Sequence, residues 1–142
     1  MESKGIVSDG IFPLGEEILP AFRQYYSGPA YEQVLVPYDS CTGVTVAHVT
    51  FAPGSRNDWH SHPGGQLILV LSGKGWHQEA GKAPVMVRAG DRIEIGPNVR
   101  HWHGAAADSS YSYLAVKATA TSGMPSWFGP VSDVEYGQLS DR

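Results

Sequence analysis

The chain has 142 residues, 42% of them hydrophobic and 17% charged, with a formal net charge of −4. That length predicts one domain, residues 1–142, large enough for a sound core, and the absence of a basic run argues against nucleic-acid and anionic-membrane partners. Cys41 is the sole cysteine, the start Met1-Glu2-Ser3-Lys4-Gly5 is polar, and the longest apolar run, Leu67 to Leu71, is too short to span a bilayer. A cytoplasmic protein is the expectation.

An N-terminal extension, residues 1–32, carries glycine and proline at short intervals, with a broken helix around Glu16 to Tyr26 that Pro20 keeps short. Strands follow. Gln33 to Val36 stops at Pro37, and Val44 to Phe51 alternates until Pro53-Gly54. Gln66 to Leu71 is a near-continuous apolar run, as in a strand buried on both sides, and Gly73 and Gly75 mark a turn. Trp76 to Ala80, Val85 to Arg88, Arg92 to Ile95 and Tyr111 to Ala118 complete the set. Near the end, Ser132 and Glu135 form a capping box for a short helix. Short strands with frequent turn signals predict an all-β sandwich or barrel, with its core at about 33–118.

Four of the six histidines fall in two pairs, His60-Ser61-His62 and His101-Trp102-His103. In a strand, positions i and i+2 face the same side, so each pair presents two imidazoles together. Neutral imidazole is the commonest ligand for divalent transition metals. Gln66 follows the glycine turn Pro63-Gly64-Gly65, which lets the next strand bring its first side chain back to the pair.

Gly54, His60-x-His62, Gln66 and Gly73 together resemble the first motif of the cupins. Gly90-Asp91 and Ile95-Gly96-Pro97-Asn98-Val99-Arg100-His101 resemble the second. The resemblance runs from roughly Val44 to Val116. It implies a jelly-roll barrel holding one divalent metal ion through His60, His62, Gln66 and His101. Two departures stand out. Gln66 replaces the usual glutamate, and Asn98 stands where a turn glycine is usual; asparagine tolerates the left-handed backbone required there. Three imidazoles and an amide leave the charge of the ion uncompensated, so an oxygen bound to it is polarised more strongly. The oxygen donor favours Mn(II) or Fe(II), with Ni(II) or Zn(II) also permitted.

His60-Ser61-His62-Pro63-Gly64-Gly65-Gln66 with His101-Trp102-His103-Gly104 is similar to a narrower group, the cupin-type hydroxynitrile lyases and carboxymuconolactone-decarboxylase-like cupins. That resemblance implies a lyase that reversibly cleaves cyanohydrins to aldehyde and cyanide. His103 is then the acid/base, on the face of His101 if the segment is extended. Alternation puts Ala47, Val49 and Phe51 on one face, and if that face is inward Ala47 and Val49 are substrate contacts and His48 points out; Tyr113 and Lys117 are further contacts if their own face is inward. Trp102 flanks the ligands as packing or as a further substrate contact. His77 reads as a solvated strand residue and Arg56 as a loop charge. The competing readings are a cupin dioxygenase, which the loss of a carboxylate at Gln66 disfavours, and a sugar- or small-molecule-binding cupin without catalysis. A homodimer or homotetramer is expected, with Phe12 to Tyr26 available as an interface.

Overall fold

A computed structural model describes residues 10–18, 23–121 and 123–139. Twelve strands run β1 (Glu16–Glu17), β2 (Tyr26–Ser27), β3 (Ala30–Val36), β4 (Val44–Phe51), β5 (Arg56–Asn57), β6 (Trp59–Ser61), β7 (Gln66–Glu79), β8 (Val85–Arg88), β9 (Arg92–Ile95), β10 (His101–Ala105), β11 (Tyr111–Ala118) and β12 (Ser126–Gly129). Toward the C-terminus a short helix, α1 (Asp133–Gly137), follows Ser132 with the expected capping box. Of the expected broken helix around Glu16 to Tyr26, residues 19–22, Pro20 among them, lie outside the described residues; Arg23 is helical, and the ends of the span are taken by the two-residue strands β1 and β2.

All strand pairs are antiparallel, and they form two sheets that share β7. In one, β1, β3, β4 and β11 lead to the first half of β7, with β9 on its other side. In the other, the second half of β7 pairs with β8 and β10, and β10 leads to β5 and β6, with β2 and β12 beyond. This is the expected all-β jelly-roll.

The turn expected at Gly73 and Gly75 is instead a bend inside one continuous strand. Gly73 has φ 76°, and a Cβ there would lie 1.8 Å from the Ser110 carbonyl oxygen. At Gly75 a Cβ would meet the Tyr111 ring at 2.5 Å. Only glycine permits these approaches. Between Val70 and Ser72 the pairing with β11 slips by one residue, a β-bulge at Leu71. Even-numbered residues face the core before it (Ile68, Val70) and odd-numbered ones after it (Gly75, His77). The first half of β7 is therefore one-sided, with Leu67, Leu69 and Leu71 only partly buried.

The main core lies between the sheets at one end. Phe51, Tyr111 and Tyr113 are clustered there with ring centroids 5.3 to 6.4 Å apart, beside Ile68, Val70 and Ile95. Another cluster lies outside the second sheet, where Trp76, Trp102 and Val131 pack under Tyr136 and Leu139. Arg56 fastens it. Its buried guanidinium donates to the Val131 carbonyl at 2.9 Å and to Asp133 at 2.7 Å, and lies 4.5 Å from the centre of the Tyr136 ring. The expectation of a loop charge is corrected: Arg56 is a buried anchor for the C-terminal helix.

Candidate metal centre and catalytic cavity

Backbone register brings the histidines together. β10 lies between β6 and β7, with His101 opposite His60 on one side and His103 opposite His77 on the other. The rings of His60 and His101 have centroids 4.3 Å apart, and those of His101 and His103 are 4.8 Å apart. His62 lies beyond β6, its ring 5.1 Å from that of His101. Its backbone is held by Asn98, whose N–H donates to the His62 carbonyl at 2.8 Å. Asn98 has φ 61°, the sole positive φ of a non-glycine among the described residues, as its place in the second motif predicts. Gly64 makes the turn toward Gln66, where a Cβ would lie 2.6 Å from Thr121 Oγ1.

Three of these rings share one orienting device. His60, His62 and His101 each place Nδ1 2.8 Å from a backbone carbonyl, of Asp58, Gly64 and Val99. A carbonyl only accepts, so Nδ1 carries the proton and Nε2 is left as a bare lone pair. That is the tautomer a metal requires, fixed by the kind of outer contact that orients metal-bound histidine.

Two further observations fit a cation. His62 Nε2 stands 3.0 Å from Gln66 Oε1, lone pair facing lone pair, an arrangement that a positive ion between them relieves. His101 Nε2 is buried without a hydrogen-bond partner, as is His103 Nε2. Ligand atoms of His60, His101 and His103 lie within 4.8 Å of one another, so a histidine triad able to hold a metal ion is present. This triad includes His103, which the resemblance sets apart as acid/base; His62 and Gln66 adjoin it.

Burial keeps the cluster neutral. It lowers His60 to about 4, with the neighbouring His62 adding to the effect against the Asp58 hydrogen bond. It lowers His101 to about 2, helped by His60, and holds His103 well below the ordinary imidazole range, helped by His101. Neutral imidazoles are the metal-binding form.

The cluster opens on a cavity of about 500 Å³. Ala47 and Val49 line it from β4, and Tyr113 and Lys117 from β11, so both faces raised as candidates point inward. The Tyr113 ring lies 5.6 Å from His103, and burial pushes its hydroxyl well above the ordinary phenol range. His48 faces the other side of β4, as expected, but it is not solvated: its Nδ1 is 2.8 Å from the Pro13 carbonyl, under Phe12. Trp102 requires correction. Its side chain is fully buried on the outer face of β10, where Nε1 donates to Gln78 at 3.0 Å, and it does not reach the cavity. Neighbours on a strand point to opposite faces, so a tryptophan between two inward histidines turns outward.

Sequence reasoning missed three contributors. His77, expected in solvent, is 6% exposed and places Nδ1 3.4 Å from His103 Nδ1. Asn57 accepts from the His103 backbone N–H at 2.9 Å. Trp127, on β12, lines the cavity, stacks on Tyr25 at 4.1 Å and lies 5.0 Å from His60. Only the strand pairing and the path of the C-terminal segment bring these residues to the site.

An antiparallel barrel that gathers imidazoles on its inner wall defines a class of small barrel proteins with an internal ligand site. Residues 47–117 match the cupin domain, and the chain belongs to the cupin family. It is similar to an (R)-mandelonitrile lyase of Granulicella tundricola, with 39% identity over 93 residues that cover 66% of this chain and 71% of that one. Among solved structures, a cupin-like protein from Thermotoga maritima is 38% identical, with a TM-score of 0.81 over 89% of this chain and 93% of its own. A DMSP lyase from Ruegeria pomeroyi has a TM-score of 0.64 at 16% identity, over 84% of this chain and 59% of that one. That likeness is one of fold.

Proposed function

We propose that this cupin is a metal-dependent lyase that cleaves cyanohydrins to an aldehyde and cyanide, with His60, His62, Gln66 and His101 as metal ligands and His103 as acid/base. The observation that carries this reading is the Nε2 of His103, buried without a partner beside three histidines whose Nδ1 atoms are taken up by backbone carbonyls, which leaves each Nε2 as a lone pair. The similarity to a mandelonitrile lyase supports the choice of substrate class. Mn(II) or Fe(II) suits the glutamine oxygen, and either ion, when bound, supplies Lewis-acid polarisation of the substrate oxygen.

The chain's own residues do the rest. Ala47, Val49 and Trp127 give the cavity an apolar wall that suits the organic part of a cyanohydrin. His103 Nε2 takes the proton of the substrate hydroxyl. The electrons of that O–H bond form the carbonyl as the carbon–cyanide bond breaks, and cyanide leaves with the electron pair. The proton on His103 then passes to cyanide, which departs as hydrogen cyanide. Burial suits His103 to this shuttle, because a ring held well below its ordinary pKa is unprotonated at neutral pH and surrenders a proton readily.

The test is to measure cleavage of mandelonitrile by the purified protein as isolated, after chelation, and after metal is restored. The expected result is aldehyde release that chelation abolishes and Mn(II) or Fe(II) restores. A rate indifferent to chelator, or no cleavage by metal-loaded protein, overturns the reading.

A further inference from the structure

The orientation of His103 has a different origin from that of its neighbours. His60, His62 and His101 give their Nδ1 protons to backbone carbonyls two residues away. At His103, Nδ1 faces another imidazole, that of His77, at 3.4 Å, with ring centroids 5.3 Å apart and planes 26° from parallel. A hydrogen bond across this contact needs Nδ1–H on one ring and a bare Nδ1 on the other.

Glu79 settles which. It follows His77 by two positions on β7, and its Oε2 lies 3.6 Å from His77 Nε2. That is longer than a hydrogen bond, but close enough for a negative charge in a partly buried setting to favour an N–H over a lone pair. The carboxylate is itself held by Lys82 at 3.2 Å. Desolvation opposes ionisation of Glu79, but Lys82 and His77 together hold its carboxyl below the ordinary range. With its proton on Nε2, His77 offers Nδ1 as an acceptor. His103 must then donate from Nδ1, and its Nε2 is bare.

We propose that Glu79 and His77 act as a positioning relay that locks His103 in the Nδ1–H tautomer, so that an unprotonated Nε2 faces the cavity. The relay rests on the reading of His103 as the base. It accounts for two features that the metal site alone does not explain: a fifth histidine buried beside the four of the site, and a carboxylate 21% exposed at its outer end. In the opposite tautomer, His103 would present an N–H to the substrate hydroxyl and have no lone pair with which to take its proton.

The test reads the tautomer directly. Two-bond proton–nitrogen NMR correlations of the histidine rings, recorded on the metal-free protein at neutral pH, are expected to show His103 protonated at Nδ1 and His77 at Nε2. In His77→Phe, which keeps a ring but removes the acceptor, His103 is expected to shift toward the Nε2–H form. Metal content should be unchanged, and kcat for mandelonitrile should fall about 10- to 100-fold with KM within about twofold, the range seen when outer contacts of a site are removed. Glu79→Gln should shift the tautomer less and cost less activity. Wild-type His103 protonated at Nε2, or a His103 tautomer indifferent to His77→Phe, overturns the relay. Because the NMR arm needs no turnover, the two readings fail separately: the expected tautomers in a protein that cleaves no cyanohydrin would sink the lyase reading and leave the relay standing.

Discussion

The two ends of this barrel are built from the same strands and differ in what their inward faces carry. On β11, Tyr111 enters the core, Tyr113 belongs both to the core and to the cavity wall, and Lys117, on the same face, lines the cavity. On β10, His101 and His103 belong to the site and Ala105 to the core. On β7, Gln66 lines the cavity, and Ile68 and Val70, two and four residues on, are core. One end is filled with aromatic and aliphatic side chains and is a matter of stability. The other gathers neutral imidazoles around open space and leaves buried nitrogen atoms without partners. A buried, unpartnered polar atom is destabilising; the aromatic end carries one as well, at the Tyr111 hydroxyl, so it is the gathering of three such Nε2 atoms, on His77, His101 and His103, that points to a site kept for function.

The sharpest way to break that division is His101→Ala. This variant is expected to fold cooperatively yet lose its metal and its cyanohydrin cleavage together, as read by elemental analysis and initial rates; undiminished metal content would remove His101 from the ligand set. Phe51→Ala strikes the other end. Loss of this fully buried ring should cost about 3–5 kcal/mol in urea unfolding. A cost below about 1 kcal/mol would mean that the aromatic end is not the core that supports the site.

Acid should separate the ends next. In the folded state the His60 pKa is lowered to about 4, by burial first, against 6.5 for an ordinary imidazole. The unfolded chain therefore takes up a proton as pH falls past 6.5, and the folded chain does so only near 4. Stability from neutral His60 is complete above pH 6.5 and is lost as pH falls toward 4, by about 3 kcal/mol at the most. Urea midpoints of the metal-free protein across this window should fall more steeply in wild type than in His60→Asn; parallel profiles would contradict the burial argument. The smallest effect is expected from Lys117→Met at the cavity lining, with a change of a few-fold in KM, cooperative folding retained, and no change in metal content. Loss of metal in that variant would extend the site further along β11 than the geometry implies.

Much of this division was legible in the sequence, and the illegible part has one main physical cause. Two His-x-His pairs announced a cluster because strand periodicity places i and i+2 on one face. Asn98 announced its turn because few residues other than glycine accept φ near +60°. The capping box at Ser132 and Glu135 is purely local, and it formed as written. His77 failed because of the bulge at Leu71. Counting by twos from Gln66 sends position 77 to the outer face, and one extra residue returns it to the inner one. A bulge is fixed by pairing with β11, about forty residues away, and has no local signature. Arg56 and Trp127 failed for a related reason. Their partners come from a C-terminal segment whose path depends on the finished barrel.

The central claim is that His103 stands beside the metal ligands as a base and is not itself a required ligand. His103→Ala, loaded with metal, tests it most directly when metal content and the initial rate of mandelonitrile cleavage are measured on the same sample. The account predicts metal at the wild-type level, with a rate lowered about 10²- to 10⁴-fold, the usual contribution of a positioned acid–base group. A variant that loses its metal, or one that keeps both metal and rate, would contradict it.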